Sequence, residues 1–302
     1  MPSCKVLPTA WGIALVAACL AMAAEQPAEK AGKDAAKEQR SQFLRIARDK
    51  EDNPLAMQAS IVRCVPSDSR RRGVAVDLVS AVHIAEKAYY DQLNREFAGY
   101  DAVLYELVAP SGTRVPKGGA GRSDSPVSFL QNAMKTMLEL EFQLDAVDYQ
   151  AENLVHADMS PDEFAESMQQ RGESMLGIFA RMMGYAIARQ QGSGKASDAQ
   201  LLMALFDKSR ARALKQVLAE QFEDMEGSLL ALNGSDGSTI ISERNKVALD
   251  VLRKQLAAGK KKIAIFYGAG HMPDMLQRLR DDFAMKPTRT RWLNAWNLAA
   301  EE

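Results

Sequence analysis

Two apolar, β-branched runs each end in a histidine and pass straight into a helical pattern. The first is Val74 to Val82 before His83; the second is Lys262 to Tyr267 with the turn Gly268-Ala269-Gly270 before His271. Strand–turn–helix units of this kind build α/β layers, and in open α/β sheets ligands bind beyond the carboxyl ends of the strands. The chain has 3 histidines, so two of them stand at such ends. We therefore expect His83 and His271 to meet in one buried site.

The rest of the pattern fills in around these units. Leu55 to Val65 and Val74 to Val82 read as a hairpin whose tip carries Arg70-Arg71-Arg72-Gly73. A helix over Glu86 to Phe97 and a strand over Ala102 to Val108 follow, giving β-β-α-β. Pro110 to Pro126 reads as a Gly/Ser/Pro-rich loop at a strand end. A short strand or turn is expected over Phe142 to Tyr149. Ser160-Pro161-Asp162-Glu163 is a capping box that opens a helix to about Arg189, with Phe164, Met168, Met175, Phe179, Met182 and Met183 on an apolar face. Gly192-Ser193-Gly194-Lys195 is a linker, Asp198 to Met225 a helix, and Asn233 to Gly237 a turn. Ser242 is expected to cap a helix to Leu256 that Gly259 ends. Pro273 to Asp282 is the last helix, and Arg289 to Leu298 a terminal strand carrying Trp292 and Trp296. The fold class is α/β (α+β): a duplicated β-β-α-β type core with a large helical insertion over about 126–258.

The first 24 residues read as a signal peptide. Lys5 precedes an apolar run, Trp11 to Ala23, too short for a comfortable membrane span, and Ala21-Met22-Ala23 offers a cleavage site. Val16-Ala17-Ala18-Cys19 is the rival lipoprotein box; membrane attachment is expected only if Cys19 is lipidated. Residues 25–41 form a polar linker, and one domain spans 42–302. The expected location is secreted or periplasmic. Of the 3 cysteines, cleavage leaves Cys64 alone, so the core must hold without an internal disulfide. The net charge of -1 gives no field that favours nucleic acid.

Glu106 lies in an apolar run, where a carboxylate is costly unless paired or bound to a metal. We expect it beside His83, because consecutive parallel strands usually neighbour each other. Arg244 precedes the second histidine strand and suits a carboxylate or a developing oxyanion. His156-Ala157-Asp158 in an extended stretch puts both side chains on one side, suited to one metal or to orienting an imidazole. Helix starts just after both histidines, and a glycine turn before His271 that permits positive φ and close backbone approach, complete the expected site.

Together, Ser80-Ala81-Val82-His83, Glu106, Ser242-Glu243-Arg244-Asn245 and Gly268-Ala269-Gly270-His271 resemble the TraB, GumN and Tiki family, which is related to the erythromycin-esterase and ChaN-like proteins. That family carries two Gly-x-x-His motifs, a glutamate after the first and an arginine before the second. The resemblance runs from about residue 55 to 298 and departs at Ser80, which replaces the first glycine. It implies a duplicated α/β core and, for the Tiki branch, metal-dependent peptidase activity, with His83, Glu106, Arg244 and His271 at the matching positions.

The leading expectation is an exported metal-dependent hydrolase acting on a peptide or small molecule. His83, Glu106 and His271 would hold a divalent metal (Mn, Co, Zn or Fe), with His156 and Asp158 as further candidate ligands. Arg244 would stabilise the tetrahedral intermediate. The alternatives are a metal-independent, esterase-like hydrolase using a histidine and Glu106, and a non-catalytic metal-, haem- or peptide-binding protein.

Overall fold

The computed structural model describes residues 43–68, 71–110, 112–113, 115–116, 136–178, 180, 203–204, 206–207, 209–220 and 237–300. The signal peptide, the Cys19 box, the polar linker, most of the 110–126 loop, the Gly192 linker and the Asn233 turn lie outside them. Among the described residues no helix is long and apolar enough to cross a membrane.

The fold is a mixed α/β sheet with helices on both faces. Its strands are β1 (Leu44–Arg48), β2 (Pro54–Pro66), β3 (Ala75–Ala81), β5 (Ala102–Tyr105), β7 (Leu154–His156), β8 (Lys262–Gly268) and β9 (Met285–Asn297). A separate pair joins β4 (Ile84–Ala85) to β6 (Glu141–Phe142). β2 is the antiparallel spine. β9 pairs along one of its edges, while β1 and β3 divide the other. The sheet then continues in parallel as β3, β8, β5 and β7. The predicted hairpin and β-β-α-β order are both present.

Alternation along β8 explains the layering. Ala264 and Phe266 face α1 (Lys87–Phe97), which buries Tyr89, Tyr90, Leu93 and Phe97. Ile263, Ile265 and Tyr267 face α4 (Arg244–Ala257) and α5 (Met272–Asp281). Cys64 is fully buried in this second layer, and burial pushes its thiol up to about 12, so it is an inert core residue. Trp296 is buried and seals the first layer, whereas Trp292 is half-buried with Arg45 over its ring.

Several expectations are corrected. β8 lies between β3 and β5, so the strands before His83 and Glu106 are not neighbours. β5 ends at Tyr105, which leaves Glu106 just beyond the strand rather than inside it. The duplication stops at strand, turn and helix: β5 runs parallel to β8, but β9 returns antiparallel to β2. Within the expected helical insertion, β7 joins the sheet against β5. α2 is a single turn (Gln143–Ala146), and α3 (Pro161–Gln170) starts on the predicted capping box. α3 stops long before Arg189. Gly172 takes φ 64 and the amides of Gly172 and Glu173 return to Gln169 and Met168, a Schellman stop. Met168 packs in a small core with Phe164, while Met175 is exposed; Phe179, Met182 and Met183 lie outside the described residues. Ser242 does not open the next helix. Ser238 caps a π-helical turn over Thr239–Glu243 that leads into α4, and Ser242 is buried within it.

Trp296 also donates its ring N–H to the Ile84 carbonyl at 2.7 Å. Trp296→Ala is expected to lower unfolding free energy by about 3–5 kcal/mol through the cavity and the lost bond. Urea denaturation of the two proteins measures this.

Candidate active site

The site forms where β3, β5 and β8 end together. His83 follows β3, Glu106 follows β5, and Gly268 and His271 follow β8. Arg244 and Asn245 come from the start of α4, which lies across the same end.

Glu106 is the centre. Its Oε2 accepts from the Gly268 amide at 2.7 Å, and its Oε1 accepts from Arg244 at 2.7 Å. His271 Nε2 stands 3.6 Å from the same Oε1. Burial alone would raise the Glu106 pKa. Arg244, the two histidines and the Gly268 amide outweigh it and hold the carboxyl well below the usual carboxylate range.

Gly268 is required by closeness, not by its backbone angle. Its φ is -51, so the expected positive φ is absent. A Cβ there would lie 3.3 Å from Glu106 Oε2, 3.8 Å from the His271 ring and 3.9 Å from His83 Nε2. Both imidazoles therefore reach the same point beside Glu106. The Ser80 departure does not crowd this point. The sheet register places Ala81, not Ser80, beside Gly268, and the Ser80 hydroxyl meets Ser60 at 3.2 Å.

The two histidines differ in setting. His271 is 5% exposed, and burial pushes its pKa down to about 4 against the pull of Glu106. Its Nδ1 faces Asn245 Oδ1 at 2.7 Å. His83 is exposed, so the expected buried site is buried on one side and open on the other. Its backbone is nevertheless fixed. Tyr89, Tyr90 and Trp296 donate to the carbonyls of Ser80, Val82 and Ile84, and the Gln143 amide donates to the His83 carbonyl. His83 Nδ1 meets Gln143 Oε1 at 3.1 Å. Helix α5 begins directly after His271, but β4 separates His83 from α1, so only the second histidine lies at a helix start.

Arg244 is buried, not a surface ion pair. Its Nε and Nη2 donate to Asp158 at 2.9 and 2.6 Å, and Nη2 also reaches Glu106. Burial opposes its charge, but Asp158 and Glu106 raise its pKa further. Asp158 is thus the anchor of Arg244. His156 goes elsewhere: its Nε2 meets the Leu107 carbonyl at 2.6 Å and its ring packs on Tyr105. The two side chains of the His-x-Asp stretch have separate partners. Among the described residues, no three His, Cys, Asp or Glu side chains close on a common point as a metal cluster.

Sequence reasoning quoted Asn245 in a motif without a role and missed Gln143. Asn245 carried a signal, since a polar residue next to Arg244 at a helix start points into the same layer. Gln143 is 60 residues from His83 and carried none. No protein-family model, curated protein or solved structure matches the chain.

Two outcomes follow. Gly268→Ala is expected to cost about 1–3 kcal/mol by crowding Glu106 while leaving the secondary structure unchanged, as read by denaturation and circular dichroism. His271 stays neutral in the fold while an unfolded histidine takes up a proton near pH 6.5, so stability falls as pH drops from about 6.5 towards 4. Between pH 7 and 5 the wild type should lose about 2 kcal/mol more than His271→Gln. Equal losses would remove the assignment of a buried neutral imidazole.

Proposed function

We propose that this protein is a hydrolase that activates water between His271 and Glu106, with a divalent metal held by His83, Glu106 and His271. One observation carries the reading. His271 Nδ1 lies 2.7 Å from Asn245 Oδ1, and its Nε2 faces the ionised Glu106 Oε1 at 3.6 Å. A neutral imidazole nitrogen and an ionised carboxylate oxygen at that separation can share a cation or a water hydrogen.

The donor set fits a divalent cation in its chemistry. It offers a neutral imidazole, an ionised carboxylate and a second imidazole at the open side. The 3.6 Å span suits two ligands about 2.1 Å from one cation. A metal there would act as a Lewis acid and lower the pKa of a water. The chain's own residues divide the remaining work. Glu106, held ionised well below the usual carboxylate range, supplies negative charge. Asp158 fixes Arg244, whose guanidinium lies beside the reacting position and balances developing charge. The exposed side at His83 admits a peptide or small-molecule substrate. The resemblance to the TraB, GumN and Tiki family supports this reading, and export through the leader in residues 1–24 belongs to it.

A metal-free hydrolase is the second reading, favoured by Arg244 on Glu106 Oε1, which already neutralises the carboxylate. His271 Nε2 would then take the water proton directly.

Elemental analysis and peptide and ester hydrolysis by untagged protein separate the readings. The first expects bound metal and hydrolysis, both lost in His83→Ala and in His271→Ala and on chelation. Full activity in excess chelator would establish the second. Unchanged metal and activity in both alanine variants would sink the assignment of the site.

A further inference from the structure

We propose that Asn245 and Gln143 are positioning residues that lock both site imidazoles in one tautomer, with the proton on Nδ1 and the bare Nε2 turned towards Glu106. At His271 the hydrogen bonds leave no other arrangement. The Asn245 Nδ2 amine donates to the His271 carbonyl at 3.1 Å and to the Asp274 carboxylate at 2.7 Å. Both of those partners are acceptors, so the amine occupies that side and Oδ1 is left for His271 Nδ1. An amide oxygen only accepts, and therefore Nδ1 must carry the proton. The amide cannot turn over, because Asp274 is itself held by Arg278 at 2.7 Å. Asn245 is fully buried, which keeps water from competing for Nδ1.

Gln143 repeats the arrangement at His83. Its Nε2 amine donates to the Tyr149 hydroxyl at 2.9 Å, and its Oε1 faces His83 Nδ1 at 3.1 Å. Gln143 is buried although His83 is exposed, so the fixed end of the ring lies inside and the free Nε2 lies towards Gly268 and Glu106. Two carboxamides from unrelated segments thus stand on Nδ1 of the two histidines; the bonds of Asn245 fix its orientation, whereas the Tyr149 hydroxyl can donate or accept, so at His83 the ¹⁵N spectra decide. A backbone or side-chain carbonyl on the second ring nitrogen is the device that sets tautomer and orientation in histidines that act through the first.

The His271 tautomer stands on its hydrogen bonds alone, and only the consequence for catalysis rests on the hydrolase reading. The test uses the full chain with ¹⁵N-labelled histidine at about pH 8 in chelator. Long-range ¹H–¹⁵N spectra distinguish the protonated from the bare ring nitrogen. His156→Gln removes one of the 3 ring systems, and His83→Gln separates the other two. His271 and His83 are each expected to carry the proton on Nδ1, whereas a free imidazole side chain in water favours Nε2. Asn245→Leu should release His271 to the Nε2–H form. Gln143→Leu should do the same for His83, whereas Gln143→Glu, which keeps an acceptor, should retain Nδ1–H. If the leucine variants do not fold, the wild-type spectra still decide. An Nε2–H wild-type His271, or an Asn245→Leu protein that keeps Nδ1–H, overturns the inference. If the protein binds metal, Asn245→Leu should weaken that binding about 10–100-fold. Absence of metal and hydrolysis with the expected tautomers would remove the hydrolase reading and leave this one standing.

Discussion

The Glu106 carboxylate is the constraint on which the rest of this site depends. An ionised carboxylate in the interior needs compensation close at hand, because isolated buried charge is heavily penalised. Here compensation comes from an arginine at the start of α4 and an amide at the end of β8. Each demand propagates. The amide approaches so closely that a Cβ at 268 would lie 3.3 Å from Glu106 Oε2 and crowd it. The arginine carries a second positive-charge requirement, which Asp158 answers from the end of β7. Removing either acid would leave Arg244 short of a partner, so Glu106 and Asp158 act as one ionic unit.

The sheet order explains how residues so far apart in sequence meet. β8, formed late in the chain, inserts between β3 and β5. Its end therefore lies between the ends of the two strands that deliver His83 and Glu106. Had β3 and β5 been neighbours, His271 would sit beyond one of them and could not share Glu106 with Gly268. β7 extends the same row of parallel ends and places Asp158 there, while α4 closes the row with Arg244 and Asn245. This row of strand ends and α4 supply every group described except Gln143, which comes from α2, and the rule that α/β sites form at carboxyl strand ends holds for each strand of the row.

Much of this was legible because it is local. The runs ending in His83 and His271, the capping box at Ser160 and the hairpin each depend on a few adjacent residues. What was not legible depends on pairing across the chain. Strand order cannot be read from one run, so His83 and Glu106 were expected on adjacent strands. The glycine turn was expected to allow positive φ and close backbone approach; only the second holds at Gly268, and the group that approaches is the Glu106 oxygen 162 residues away, which no local pattern names. His156-Ala157-Asp158 was read as one unit from its spacing. The strand ends between them, and the two side chains leave in different directions towards Leu107 and Arg244. Ser80 looked like a loss because alignment by motif set it against Gly268; the sheet register sets it against Tyr267 instead.

The unequal burial of the two histidines gives the site a direction. His271 is enclosed, lowered in basicity and held by Asn245, so it changes little when a ligand arrives. His83 is exposed at its ring yet fixed along its backbone by Tyr89, Tyr90 and Trp296, so it can meet a ligand without becoming mobile. Charge follows the same gradient, since Arg244 and Asp158 lie at the buried end. On the proposed hydrolase reading, an incoming group would meet an imidazole first and the ionic unit last. That order would carry a polar bond from solvent to a preorganised charge pair, where fixed dipoles act more strongly than they would in water.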